Sequence, residues 1–341
     1  MLEFLDLCGF DERESGEQLP RLQEVFARLG IGDADVREAK ERLHTYYDTD
    51  LQGVRKTMRI ILKDLADVVL VRDEGRQKVI HACMAPGFET LGTAINTYSR
   101  EVGLIYPNFT FMVMLGCVFG KFLPVLDAAE KLWLRSGVVA HCGMVKTRLG
   151  LFALGMVPLP DMTLTTGFSC ETSPKSNELI EEIYGIPALY VDACQDRQMS
   201  EYPDFKRTTI FAAKSMRRFS GRVRQITDFE LTDDMVWRAI EARRPITAAM
   251  QRVTHVIRHS DPLPIGSAHL NLMSTLGAIP YPVEQIPDVV DALDTLHEEL
   301  LERRRKGVGV TPKGAPRVLA ICPMNYSDPR LEHLANRMGL A

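Results

Sequence analysis

The chain has 341 residues, 45% of them hydrophobic, and its 41 Lys and Arg against 45 Asp and Glu give a formal net charge of -4. That length and apolar content predict a large core spread over two or three packed units. The near-balance of charge excludes the field that draws nucleic acid or an anionic membrane surface.

The first residues, MLEFLDLCGFDERESGEQ, place Asp and Glu where an export signal carries Lys or Arg, and their apolar stretch breaks within a few positions. No signal is read, and a cytoplasmic location is expected. Residues 1–75 form a predicted helical lead-in: Leu22, Val25, Phe26 and Leu29 recur at helical spacing, as do Met58, Ile61, Leu62, Leu65 and Val68. From Lys78 the pattern changes to short apolar runs that end in turn residues. VIHACMAPG predicts a strand and turn, and FETLGTAINTYSREVGL the helix that follows. The most apolar stretch, Leu104 to Leu126, is interrupted by Pro107, Asn108, Lys121 and Pro124. About 12 clean positions remain against the roughly 20 a membrane span needs, so a buried core helix is expected.

The run MTLTTGF, Met162 to Phe168, is rich in β-branched residues and predicts a strand. Ser173 is then the expected N-cap, with Pro174 at the first helical position. Leu179, Ile180, Ile183 and Tyr184 make the helix amphipathic, and Gly185 is placed to end it. A strand over Ala188 to Ala193 completes a βαβ unit and with it a parallel sheet. Residues 205 to 306 return to helical periodicity, with Thr232 as an N-cap and Val289, Val290, Leu293, Leu296, Leu300 and Leu301 along one stripe. The basic run Arg303, Arg304, Arg305 and Lys306 before Gly307 complements a helix C-terminus. After Gly314 the pattern predicts a strand over 317–321, a loop and an opening helix. The expected organisation is a helical lead-in at 1–75, a first α/β domain at 76–204, a helical region at 205–312 and the start of a second α/β domain at 313–341.

None of the seven cysteines forms a C-x-x-C pair, which removes zinc ribbons and ferredoxin-type cluster runs. In open parallel sheets ligands bind outside the carboxyl ends of the strands. Cys170, Cys194 and Cys322 each follow or close a predicted strand there. Cys142 lies instead in AHCGMVKTRLG, where Lys146 and Arg148 are near enough to stabilise a thiolate, the form that binds metal. Thiolates are the soft ligands that iron-sulfur centres select. Neither a Walker pattern nor G-x-G-x-x-G is present, so ATP is expected to be used by a partner only.

Three stretches, CGMVKTRLG with Cys142, PLPDMTLTTGFSC with Cys170 and IPALYVD, are similar to the N-terminal half of the 2-hydroxyacyl-CoA dehydratase and benzoyl-CoA reductase superfamily, which includes 2-hydroxyglutaryl-CoA dehydratase D-component-like subunits. Upstream, PGFETLGTA resembles the family's Pro-x-Glu-Leu helix start and LIYPN its Tyr-Pro turn. Downstream, GAPRVLAICPMNYSDPRLEHLANRMG resembles the opening strand and helix of its second α/β domain. The resemblance covers residues 76 to 341 and implies a flavodoxin-like or Rossmann-like parallel-sheet domain.

It further implies a heterodimer with a second homologous subunit, each subunit holding an iron-sulfur cluster, usually 4Fe-4S, near an acyl-CoA pocket. A separate ATP-hydrolysing iron-sulfur activator injects a low-potential electron, and the thioester carbonyl becomes a ketyl radical. Either a 2-hydroxy group then leaves or an aromatic ring is reduced. Cys142 and Cys170 match the first two cluster ligands. The family's third ligand lies in the second α/β domain, of which this sequence resembles only the opening; Cys194 and Cys322 stay open as substitutes. A shared cluster requires the Cys142 and Cys170 sulfurs to face one cavity. Asn108 stands where dehydratase relatives often place Glu after Tyr-Pro, and an amide offers no proton handling. Electron transfer is therefore expected to survive better than dehydration. Glu89 is expected as a helix-start residue, and Glu101 belongs by sequence to the preceding helix. The alternative reading is a non-catalytic or truncated partner subunit that keeps the fold and dimer surface without a complete cluster.

Overall fold

The computed structural model describes residues 1–83, 87–134, 142–167, 170, 172–191, 205–319 and 327–341. The lead-in forms α1 (Leu2–Leu7), α2 (Glu12–Arg28), α3 (Asp33–Tyr46) and α4 (Gln52–Val69). Asp11 caps α2 by accepting from the Glu14 N–H at 2.7 Å. Along α4 the side chains Val54, Met58, Ile61, Leu62 and Leu65 are fully buried, each worth about 1.5–3 kcal/mol on removal from water.

The α/β part follows in the order β1 (Lys78–Cys83), α5 (Phe88–Tyr98), β2 (Val102–Ile105), α6 (Pro107–Phe111), a π-helical segment Met112–Val118, α7 (Leu123–Leu134), α8 (Gly143–Ala153), β3 (Met162–Thr165), α9 (Thr172–Tyr184) and β4 (Ala188–Tyr190). The sheet order is β2-β1-β3-β4 and every pairing is parallel, with Ile80 opposite Leu104 on one side and Met162 on the other. The remaining helices are α10 (Phe205–Thr227), α11 (Asp233–His259), α12 (His269–Ala278), a 3-10 turn Val283–Gln285, α13 (Ile286–Lys306) and α14 (Arg330–Arg337). One core cluster joins α5 and α10 to the sheet, and a larger one joins the lead-in to α11, α12 and α13.

Two glycines set close helix crossings. A Cβ on Gly53 of α4 would stand 2.4 Å from Leu296 Cα of α13, and a Cβ on Gly150 of α8 would stand 1.9 Å from the Val125 carbonyl oxygen of α7. At α13, Gly307 takes φ +66° just past the last turn. Arg303 turns to Asp48 and Asp50 at 2.8 and 2.7 Å, and Arg305 and Lys306 turn back to Glu302.

The structure departs from the sequence reading at several points. The stretch assigned wholly to a helix after VIHACMAPG ends inside β2, covering Val102 to Leu104. Ser99 leaves the helix in extended conformation and its hydroxyl accepts from the Val102 N–H, while Asn96 brackets Leu104 through both amide atoms. Leu104 to Leu126 is not one helix, because Pro107 opens a new element directly after β2. Ser173 does not cap: α9 already begins at Thr172, and the Ser173 hydroxyl donates instead to the Cys83 carbonyl at 3.2 Å. Strand β3 stops at Thr165, short of the expected Phe168. In the expected strand 317–321, the described residues Arg317, Val318 and Leu319 join no sheet; the Val318 N–H donates to the Ala341 carbonyl at 2.8 Å. Thr232 does cap α11, and Gly185 ends α9 at φ +68°. Among the described residues no helix is long and apolar enough to cross a membrane.

Candidate functional site

From β1 the chain crosses through α5 to β2 on one side, then returns through α6, α7 and α8 to β3 on the other. The carboxyl ends of β1 and β3 are therefore the switch point of the sheet, where two outgoing connections diverge and leave a crevice. Three cysteines collect there. Cys83 is the last residue of β1, Cys170 follows β3, and Cys142 is the residue before α8.

Thr172, the first residue of α9, links two of them. Its Oγ1 is 3.1 Å from Cys170 Sγ and 3.6 Å from Cys142 Sγ, so the two sulfurs are no farther apart than those legs laid end to end. Cys142 is exposed, Cys170 is half-buried and Cys83 is buried. Burial pushes the Cys83 thiol up, opposed by the Arg148 charge and the Ser173 hydroxyl, and both Cys142 and Cys170 are near enough for their charges to act on it. Cys83 was not singled out from the sequence as a site residue. The signal was present, since it ends the strand VIHAC and so obeys the same edge rule as Cys170.

Beneath the cysteines lies a layer of buried polar side chains. Arg148 on α8 donates to Ser176 Oγ at 3.0 Å, to Asn177 Oδ1, and to the His81 carbonyl at 3.1 Å. His81 is itself fully buried; burial, and then the Arg148 charge, hold its pKa well below the ordinary value, so its ring is neutral. Asn108 is fully buried and donates to the Met144 carbonyl at 3.0 Å, which ties α6 to the first turn of α8. Lys146 is taken up by Glu130 and does not serve the sulfur of Cys142. Glu89 sits in the first turn of α5 and accepts from the Gly87 N–H at 2.9 Å, as a helix-start residue does. Glu101 lies past α5, where its carbonyl accepts from the Lys78 N–H at 3.0 Å.

An apolar pocket of about 240 Å³ opens beside the carboxyl ends of β1 and β2, walled by Ala82, Phe88, Tyr106, Phe109, Ser274 and Pro280. It shares Glu89 and Gly277 with a wider groove along α11 that carries Arg243, Arg244, Arg258, His255 and His259. A small apolar recess continuous with a basic groove suits a ligand with an anionic head and an apolar arm.

Thiolates are donors of the kind that soft metal ions take, and two cysteines meet at this sheet edge. Among the described residues no group of three or more His, Cys, Asp or Glu is arranged to hold a metal ion. Cys194 and Cys322 lie outside the described residues. A family model described as 2-hydroxyglutaryl-CoA dehydratase, D-component, matches residues 112–341, a range that contains Cys142, Cys170 and Thr172. No curated protein matches the chain.

Proposed function

The chain belongs to the 2-hydroxyglutaryl-CoA dehydratase D-component family, and on that premise we propose that it is an iron-sulfur subunit of an enzyme acting on an acyl-CoA thioester. Cys142 and Cys170 hold a 4Fe-4S cluster, with a further thiolate supplied by Cys194, Cys322 or a segment beyond this sequence. The observation that carries this reading is the meeting of the Cys142 and Cys170 sulfurs at the Thr172 hydroxyl, at the switch point of the sheet.

When bound, such a cluster supplies one-electron transfer at low potential, and the protein supplies position, dryness and electrostatics. The apolar pocket walled by Ala82 and Phe88 receives the acyl arm, and the basic face of α11 receives the phosphates of the CoA. Asn108, spent on the Met144 carbonyl and lacking a titratable group, takes no part in proton removal. A homologous subunit completes the enzyme, and a separate ATP-hydrolysing activator delivers the electron.

The test is anaerobic purification followed by assay of iron and acid-labile sulfide in the wild type and in Cys142→Ser and Cys170→Ser. Near-stoichiometric iron that falls to background in both variants is expected. A folded wild type with no iron would overturn the reading and leave a fold-retaining, non-catalytic partner subunit.

A further inference from the structure

Arg148 is 0% exposed, yet among the described residues its guanidinium is in contact with no carboxylate. Among the described residues the three acceptors that hold it, Ser176, Asn177 and the His81 carbonyl, are neutral, and Nε has no partner. A guanidinium does not shed its charge under ordinary conditions. A buried cation held only by neutral dipoles is costly, and a fold keeps one where an anion elsewhere offsets it. Besides His81, whose ring it keeps neutral, Arg148 is reached electrostatically by Cys83, Tyr106 and Tyr190. Cys83, Tyr106 and Tyr190 mark the carboxyl ends of β1, β2 and β4, so the charge, uncompensated among the described residues, lies at that edge of the sheet and acts on Cys83, which Cys142 and Cys170 also reach. The route is short: Ser176 Oγ, which accepts from Arg148, donates to the Ser173 carbonyl at 2.6 Å, and Ser173 Oγ donates to the Cys83 carbonyl.

We infer that Arg148 is the built-in counter-charge for anionic sulfur at the carboxyl edge of β1 and β3, a positioning residue that sets how readily an iron-sulfur centre held by Cys142 and Cys170 accepts an electron. The inference rests on the proposed function. Reduction adds one electron and one negative charge to the centre, and a fixed cation in a dry site favours that more charged state. The neutral fork of Ser176 and Asn177 aims the guanidinium without cancelling its charge, which a carboxylate at either position would do.

The experiment is an anaerobic titration of the purified complex with titanium(III) citrate, each Ti(III) giving one electron to the centre and becoming Ti(IV), followed by electron paramagnetic resonance. Arg148→Gln removes the charge and keeps a hydrogen-bonding side chain. Asn177→Asp leaves the guanidinium in place and neutralises it with a neighbouring carboxylate, so it reports even if Arg148→Gln fails to fold. Both are expected to bind wild-type iron and to lower the equilibrium constant for reduction at least tenfold, which is 59 mV for a one-electron couple. Arg148→Lys, which retains the charge, is expected to stay close to wild type. Unchanged reduction in the two neutralised variants at full iron content would overturn this inference alone. A wild type without iron would overturn the proposed function and this inference with it.

Discussion

The hydroxyl of Thr172 lies 3.1 Å from the sulfur of Cys170, and the same oxygen is 3.6 Å from Cys142. One side chain at the start of α9 therefore ties together two cysteines that are 28 positions apart in the chain, one from the loop after β3 and one from the residue before α8. Hydrogen bonds to cluster sulfurs are among the levers that set reduction potential. Thr172→Val keeps the shape and removes the hydroxyl. Global stability is expected to change by about 1 kcal/mol or less, the range of a single hydrogen bond. For the cluster proposed at Cys142 and Cys170, iron loss to a chelator is expected to quicken, and the potential to move in the negative direction. Thr172→Ser is expected to restore both. Equal iron retention in the Val and Ser variants would show that the hydroxyl does not act on the sulfurs.

Asp64 on α4 provides a pH dependence with a definite sign. It is buried, accepts a hydrogen bond from Thr110 at 2.5 Å, and burial raises its pKa from 3.8 to about 7. Between those two values the folded chain holds a proton that the unfolded chain has released, so raising the pH through this window costs stability. The contribution is fully present below pH 3.8 and lost once the pH passes 7. Its slope is about 1.4 kcal/mol per pH unit where the difference is one full proton. Asp64→Asn keeps an acceptor for Thr110 and removes the proton. In urea midpoints measured from pH 4.5 to 8, the advantage of wild type over the variant is expected to shrink steadily toward pH 7 and then level off. A difference that does not vary with pH would mean Asp64 is ionised throughout.

Gly150 fixes the crossing of α8 on α7, and with it the place of Cys142 at the start of α8. Its Cβ would fall on the Val125 carbonyl oxygen, a backbone atom that moves only with its helix. Gly150→Ala is expected to destabilise by about 1–3 kcal/mol through overpacking, read as a lower urea midpoint at unchanged slope. Gly221, inside α10 with nothing within 4 Å of its absent Cβ, is the opposite case. Gly221→Ala is expected to stabilise by up to about 1 kcal/mol, because a glycine in a helix interior only costs entropy. Equal effects of the two substitutions would refute the close approach at Gly150.

Local chemistry wrote several features into the sequence directly. The Asp11 and Thr232 caps, the αL glycines Gly185 and Gly307, the helical stripe of α4 and the parallel β3-α9-β4 unit all depend on residues within a few positions of one another. Their periodicity or capping chemistry survives without knowledge of the rest of the fold. Strand β2 was hidden because Val102 to Ile105 follows a helix with only a short break. What makes it a strand is the backbone of β1 alongside it, with Asn96 and Arg76 holding its ends. Ser173 read as a cap and became a tie between β1 and β3, because the Cys83 carbonyl, 90 residues away in sequence, stands within reach.

The sequence by itself therefore determined the parallel α/β character, and it singled out Cys170 by the edge rule and Cys142 and Cys170 together by family resemblance. The tertiary structure alone decided which groups share a space. Cys142 and Cys170 meet at Thr172, Cys83 lies buried within their electrostatic reach, and Arg148 is buried where its charge acts on Cys83, in contact with no carboxylate among the described residues. The reason is physical: spacing in a sequence reports short-range periodicity, whereas the separation of two sulfurs and the burial of a charge depend on how α8, α9 and the sheet pack, and that packing is set by contacts distant along the chain.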